Sequence, residues 1–308
     1  TLDMPRLKLL ALAARASGIE RVRGRVLADP SAFSGPRLGA AWQWDDESFP
    51  FSAPFCGVNV DANVQSVEVT PGAAGEAARV TLGAGWGAVE GSVRCVPGSE
   101  SAVRIERRRG SETIVVSGTL GEKAAPVRRS VAVDDPAAFA AHRFAEALRE
   151  AGIATGETGV GAAPGDAALV AESSSEPLAQ WCPRFLKPSD NLMGECLLRT
   201  IGRVRGGVGT DAAGAGAVRA WLESRGVPLG GVSVVDGSGL SMQNTLTARA
   251  LVALLTDQKA NAALADALPV GGVDGTLRAR FAQPPGKGNV RAKTGTLTVA
   301  SSLSGYAT

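Results

Sequence analysis

The feature that most restricts the fold is a change of pattern at Asp134-Asp135-Pro136. Before it, short apolar alternations follow one another. They run through Val64, Val67 and Val69, then Val80 and Leu82, then Val93 and Val96, then Val103 and Ile105, then Ile114 to Val116 and Val127 to Val133. Pro71-Gly72, Pro97-Gly98, Gly110 and Gly118 punctuate them, and such spacing predicts short strands in a small antiparallel domain over 64–133. At the change itself, Asp135 is a good N-cap and Pro136 a good first helical residue, so a return helix is expected over 136–151 with Gly152 as its stop.

On either side the pattern is less regular. An amphipathic helix is predicted over Leu7–Ser17, ended by Gly18. Val22, Gly24 and Val26 alternate with Arg21, Arg23 and Arg25 as in a half-buried strand. Pro30 to Pro54 reads as an irregular loop anchored by Trp42 and Trp44. The Gly/Thr/Ala-rich stretch Gly152–Gly165 is the expected linker, dividing a β-rich region, 1–163, from a second region, 164–308. That second region should carry helices near Pro177–Leu186, Asn191–Ile201, Ala213–Ser224 and Thr245–Leu255, with strands at Ala168–Glu172, Val232–Val235 and Val290–Thr294.

Composition excludes several functions. The net charge of +2 gives no support to nucleic-acid binding. His142 is the one histidine, which rules out a His-built metal site and makes a Ser-His-Asp hydrolase depend on a residue that reads as a surface or packing residue of the 136–151 helix. Cys56, Cys95, Cys182 and Cys196 form no C-x-x-C; Cys182 and Cys196 could pair across two helices or stay free. No apolar run has the roughly 20 residues of a membrane span, and no signal peptide stands at the start of the sequence. Arg107-Arg108-Arg109 reads as a solvated strand end.

Three short motifs remain: Ser189-Asp190-Asn191, Asp236-Gly237-Ser238-Gly239-Leu240-Ser241 and Lys293-Thr294-Gly295. Singly they have ordinary explanations as a helix cap, a strand-to-loop turn and a strand ending in a glycine turn. Together, S-x-N and K-T-G belong to the signature of penicillin-recognising serine acyl-transferases. Their order, the segments Gly271-Gly272-Val273-Asp274-Gly275-Thr276-Leu277 and Ser301-Ser302-Leu303-Ser304-Gly305-Tyr306, and upstream Gly24 to Phe33, Trp42-Gln43-Trp44 and Val58-Asn59-Val60-Asp61-Ala62-Asn63, resemble the class C low-molecular-mass penicillin-binding proteins of the D-alanyl-D-alanine carboxypeptidase and endopeptidase type. The likeness covers nearly the whole chain.

The resemblance implies an α/β (α+β) transpeptidase-like catalytic domain, incomplete here, with β-rich inserted domains. It implies a serine D,D-peptidase of bacterial cell-wall metabolism, periplasmic or extracytoplasmic, that uses no cofactor and no metal. Its partners would be peptidoglycan stem peptides ending in D-Ala-D-Ala and the β-lactam antibiotics that mimic them. The family pattern makes Ser189 a proton relay, Asn191 the group that orients the substrate peptide, and Lys293 a source of positive charge beside Ser189. Thr294 would bind the terminal carboxylate, Gly295 would let the strand approach the ligand, and the Thr296 N–H would form half of an oxyanion hole.

The nucleophile's motif is the departure. Lys8, Lys123, Lys187, Lys259, Lys287 and Lys293 are preceded three residues earlier by Pro5, Leu120, Arg184, Thr256, Pro284 and Val290, so S-x-x-K does not occur. Thr1-Leu2 resembles the end of a segment that follows that motif in the family. The expectation is a sequence shortened at both ends, inactive alone; the competing readings are a non-catalytic cell-wall scaffold and a β-lactamase or esterase of the same superfamily.

Overall fold

The computed structural model describes residues 2–307, so Thr1 of the Thr1-Leu2 pair lies outside the described residues. Two compact units are present. One contains the chain through Ala32 together with Gln43–Ser173, and the other contains Phe33–Trp42 together with the chain from Ser174.

In the first unit, helix α1 (Met4–Ala16) is capped by the Asp3 carboxylate, which accepts from the Arg6 N–H. Its buried face, Leu7, Ala11 and Ala14, recurs at helical spacing. That face packs on Ala137, Ala140, Ala141, Ala145 and Leu148 of α2 (Pro136–Glu150), where small side chains let the two helices approach closely. Asp135 caps α2 as expected, accepting from the Ala137 and Ala138 N–H groups at 3.1 and 3.0 Å. Strand β1 (Val26–Ala28) is shorter than the alternation from Val22 implied: Arg21 makes only a bridge to Ala154, a bend follows at 23–24, and pairing resumes at Val26.

Between α1 and α2 the expected strands form as β2 (Val64–Thr70), β3 (Arg79–Leu82), β5 (Arg94–Val96), β6 (Ser101–Arg107), β7 (Thr113–Gly121) and β8 (Val127–Ala132), with β4 (Ala88–Gly91) in addition. They build a three-stranded sheet β3-β2-β8 and a four-stranded sheet around β7. Val67, Val69, Val93, Cys95, Ile114, Val116, Leu120 and Val131 form their common core. The domain is not purely antiparallel: β4 and β5 both run parallel to β7. Nine residues make β7 long enough to accept two short strands end to end, at 113–116 and 119–121, while β6 lines its other edge antiparallel. Gly118, at φ +104°, sits in this crowded strand because a Cβ there would strike the Ala102 carbonyl.

Strand β9 (Thr158–Val160) then pairs parallel with β1, so the expected linker Gly152–Gly165 is partly ordered structure of the first unit. The Ala163 N–H also donates to Asp29 at 2.8 Å, and residues through Ser173 stay with that unit.

Other expectations in this unit need correction. Arg107 is not a solvated strand end: it is 4% exposed and donates to Asp134 and to the carbonyls of Glu47, Arg108, Ser111 and Ala132. Only Arg108 and Arg109 of the run lie outside, paired with Glu90 and Glu47. Trp44 is no anchor, being 68% exposed. Of the two readings of His142, surface or packing, the second holds: its Nε2 lies 2.9 Å from the Ala84 carbonyl and its ring against Trp86. All four cysteines are free thiols, Cys182 and Cys196 included.

The second unit holds α3 (Leu178–Leu186), α4 (Asn191–Gly206), α5 (Asp211–Ser224), α6 (Ala248–Asp257), the short α7 (Ala262–Ala267), and an antiparallel hairpin of β10 (Val290–Leu297) and β11 (Ala300–Ala307). Helices α4 and α5 meet on glycine: a Cβ at Gly202 would lie 2.7 Å from the Gly214 nitrogen. Helix α6 starts three residues later than its apolar pattern because Thr247 is the cap, accepting from Ala250 N–H at 3.1 Å, and Thr245 instead pairs its backbone with Ser233. That bridge is all that forms of the strand expected at Val232–Val235; Val232, partly buried, packs against the cluster of Leu222, Val227 and Ala250. The strand expected at Ala168–Glu172 is irregular and exposed, with Leu169 77% accessible: it finds no edge to pair with.

Candidate active site

The end of α3 and the start of α4 are joined by Lys187-Pro188-Ser189-Asp190. Asp190 makes the junction sharp. Its N–H donates to the Phe185 carbonyl at 3.0 Å, and its carboxylate caps α4 by accepting from the Met193 N–H at 2.9 Å. Ser189 is left between them at φ +63°, a left-handed conformation that is strained for a non-glycine residue. The strain aims its hydroxyl at β10, where the Lys293 ammonium donates to Ser189 Oγ at 2.6 Å and to the Thr294 carbonyl at 2.6 Å. Lys293 is half-buried, and burial pushes its pKa below the usual lysine range.

Asn191 is the first residue of α4, two positions beyond Ser189. Thr294 follows Lys293 on β10 with its hydroxyl 2.8 Å from that of Thr276. Gly295 faces Ser302 across the hairpin, and a Cβ there would lie 2.6 Å from the Ser302 hydroxyl. Thr296 pairs with Ser301 and is exposed. Ser189, Lys293 and Thr294 are therefore linked by hydrogen bonds, with Asn191, Gly295 and Thr296 on the same two elements.

The segment carrying Thr276 is tied to the same junction. Thr276 N–H donates to the Lys187 carbonyl at 3.1 Å, and Gly275, at φ +54°, passes so close that a Cβ would lie 2.7 Å from that oxygen. The Lys187 ammonium donates to Asp274 at 2.5 Å and to the Leu268 carbonyl at 3.3 Å. Burial works to raise the Asp274 pKa, but the Lys187 hydrogen bond, the Val270 N–H and the charges of Lys187 and Arg291 together hold it below the usual carboxylate range. Asp274 and Thr276 lie in the Gly271–Leu277 segment, and only the fold brings them to Lys187, 87 and 89 residues away.

The third motif forms a loop around a buried carboxylate. Asp236, 4% exposed, accepts from the N–H groups of Gly239 and Ser241, from the Asn244 amide and from the Trp42 indole at 3.1 Å. Trp42 is thus an anchor, as expected. Glu195 was missed: it is fully buried and accepts from the Gly237 and Ser238 N–H groups at 3.1 and 2.8 Å. Arg199, one turn further on, is 1% exposed at its side chain and clamps Asp211, with a 2.6 Å bond to the Pro36 carbonyl. Their signal was available: Asn191, Glu195 and Arg199 recur every four residues, putting two charges on a face shared with buried Leu192 and Leu198.

The profile of the D-Ala-D-Ala carboxypeptidase 3 (S13) family matches residues 1–308. A D-alanyl-D-alanine carboxypeptidase of Actinomadura sp. strain R39 is 39% identical over 99% of the chain, which spans 61% of that protein's length. The D-alanyl-D-alanine carboxypeptidase DacB of Haemophilus influenzae is 28% identical over 99% of the chain and 67% of its own length. The crystal structure of penicillin-binding protein 4 from H. influenzae superposes with a TM-score of 0.87 at 27% identity, covering all of this chain and 70% of that one. A β-lactam complex of the same protein superposes with a TM-score of 0.80 at 25% identity, covering 69% of its chain.

Proposed function

This chain belongs to the D-Ala-D-Ala carboxypeptidase 3 (S13) family, and from that premise we propose that it forms one wall of the active site of a serine D-alanyl-D-alanine carboxypeptidase/endopeptidase acting on peptidoglycan stem peptides. The observation that carries the reading is the 2.6 Å contact between the Lys293 ammonium and the strained Ser189 hydroxyl. A serine of an S-x-x-K turn, a motif not found within these 308 residues, would attack the carbonyl of the D-Ala-D-Ala bond and give its hydroxyl proton to the lysine of that turn.

Ser189 would pass a proton to the departing D-alanine nitrogen as the C–N bond breaks, leaving an acyl ester on the attacking serine. Lys293, its pKa lowered by burial, would replenish that proton and attract the terminal carboxylate. Asn191 would hold the acyl-side peptide group, Thr294 would bond the carboxylate, and the Thr296 N–H would stabilise the oxyanion. Gly295 would let β10 lie against the substrate backbone. Water would then hydrolyse the ester. A β-lactam presents the same carbonyl and carboxylate, and the H. influenzae protein has been solved with one bound. Substrates of this kind place the protein outside the cytoplasm.

Covalent labelling of the full-length protein by a fluorescent penicillin tests the reading. Wild type should label and release the adduct slowly, and Lys293→Ala should lower the labelling rate by about 10²–10⁴-fold. No adduct on folded wild type would leave a non-catalytic wall-binding protein, and rapid release would move the assignment to a β-lactamase.

A further inference from the structure

Glu195 has no part in the chemistry proposed above, yet it is a fully buried carboxylate one helical turn from Asn191. Its two oxygens divide between successive backbone donors, Oε2 accepting from Gly237 N–H and Oε1 from Ser238 N–H. The loop it grips touches α4 backbone to backbone, since a Cβ at Gly194 would lie 2.6 Å from the Gly237 carbonyl oxygen. We propose that Glu195 is a positioning residue of the cleft: its carboxylate locks the Asp236–Ser241 loop onto the first turns of α4 and so fixes the orientation of Asn191. The proposal rests on the peptidase reading for its effect on catalysis, but the lock itself is independent of it.

The groups facing Glu195 make the lock sensitive to charge. Asp236 approaches from the loop as a like charge, and its own oxygens are taken by Trp42, Asn244 and the N–H groups of Gly239 and Ser241. The Ser238 side chain also bonds the carboxyl. On α4 itself the next charge, Arg199, is directed to Asp211. Among the described residues Glu195 therefore has donors but no paired cation. Burial first, then the Asp236 charge, pushes its pKa up to about 7, against the hydrogen bonds that favour the ionised form. Ionised Glu195 accepts both N–H bonds fully; protonation converts one oxygen to a donor that faces donors.

The test compares wild-type and Glu195→Gln full-length protein from about pH 9 to pH 5. Wild-type labelling by a fluorescent penicillin should fall as pH drops, with a midpoint of about 7. Glu195→Gln should label roughly tenfold more slowly at high pH, with that limb absent, and Glu195→Asp should restore part of the limb. An unchanged rate and an unchanged limb in Glu195→Gln would overturn the proposal.

Amide resonances of Gly237 and Ser238 provide the second readout. They should titrate with the same midpoint in wild type, a measurement that stands even if the variant does not fold. If wild type labels at no pH, the peptidase reading fails while these amides still decide the lock. Amides that ignore both pH and the substitution would sink it.

Discussion

Arg107 in the β-rich unit and Glu195 in the helical unit are buried alike, at 4% and 0% exposure, but they are satisfied differently. Arg107 has a carboxylate and four carbonyls around its guanidinium. It ties the ends of β6 and β8 to the Ser111 turn and to Glu47, and nothing about it is poised to change. Glu195 has amide and hydroxyl donors and a like charge, and its protonation state hangs near neutrality. A buried ion whose partners cancel it is architecture; one left uncancelled beside the proposed site is the kind of group that serves something other than stability.

The comparison breaks most readily at Arg107. Arg107→Ala should cost about 3–5 kcal/mol, because a guanidinium is withdrawn from acceptors that remain buried. Urea unfolding measures this, and the loss should be nearly independent of pH across the neutral range. A cost below about 1 kcal/mol would mean that water reaches those acceptors and that Arg107 is not structural.

Glu195 should show the opposite behaviour. Its carboxyl sits at about 7 in the folded protein against an ordinary value of 4.5. The stability it contributes is therefore fully present below pH 4.5 and is lost as pH rises through about 7. At 1.36 kcal/mol per pH unit, the stability of wild type relative to Glu195→Gln should fall by about 3 kcal/mol over that window. Above neutrality the variant should then gain in relative stability while acylating more slowly. Relative stability that is flat with pH would show that Glu195 stays ionised throughout and would reduce it to another Arg107.

The two residues also mark how far the sequence could be read. Asp135-Pro136, the Asn191 helix and the Val290 strand are legible because cap chemistry and apolar period are local. The β4–β7 and β5–β7 pairings are not, since strand direction is a decision between segments and β4 is exposed along its whole length. Val232–Val235 fails as a strand for the same reason: three valines around Ser233 make a strand only where an edge is offered. At the site, Ser189, Asn191 and Lys293 could be named from the resemblance to a known family. Glu195 could be picked out only as a charge on the inward face of α4, since the loop partners that bury it lie 42 and 43 residues away. Arg107 stands in a run of three arginines, where only packing distinguishes the inward one.

The smallest expected effect concerns Thr276, which lies between the two kinds of residue. Its N–H is architectural, holding the Lys187 carbonyl, whereas its side chain reaches the Thr294 hydroxyl at 2.8 Å and is exposed. Thr276→Val keeps the shape and the backbone bond and removes only the hydroxyl. Stability should change by less than about 0.5 kcal/mol, since water can take the vacated position. Labelling by penicillin should fall about threefold to tenfold, the value of one net hydrogen bond that orients Thr294 towards a carboxylate. The loss should appear in the concentration dependence more than in the limiting rate, because the carboxylate is bound equally before and during bond breaking. A limiting rate that falls while the concentration dependence stays put would instead place Thr276 with Lys293 and Ser189 in the proposed proton relay.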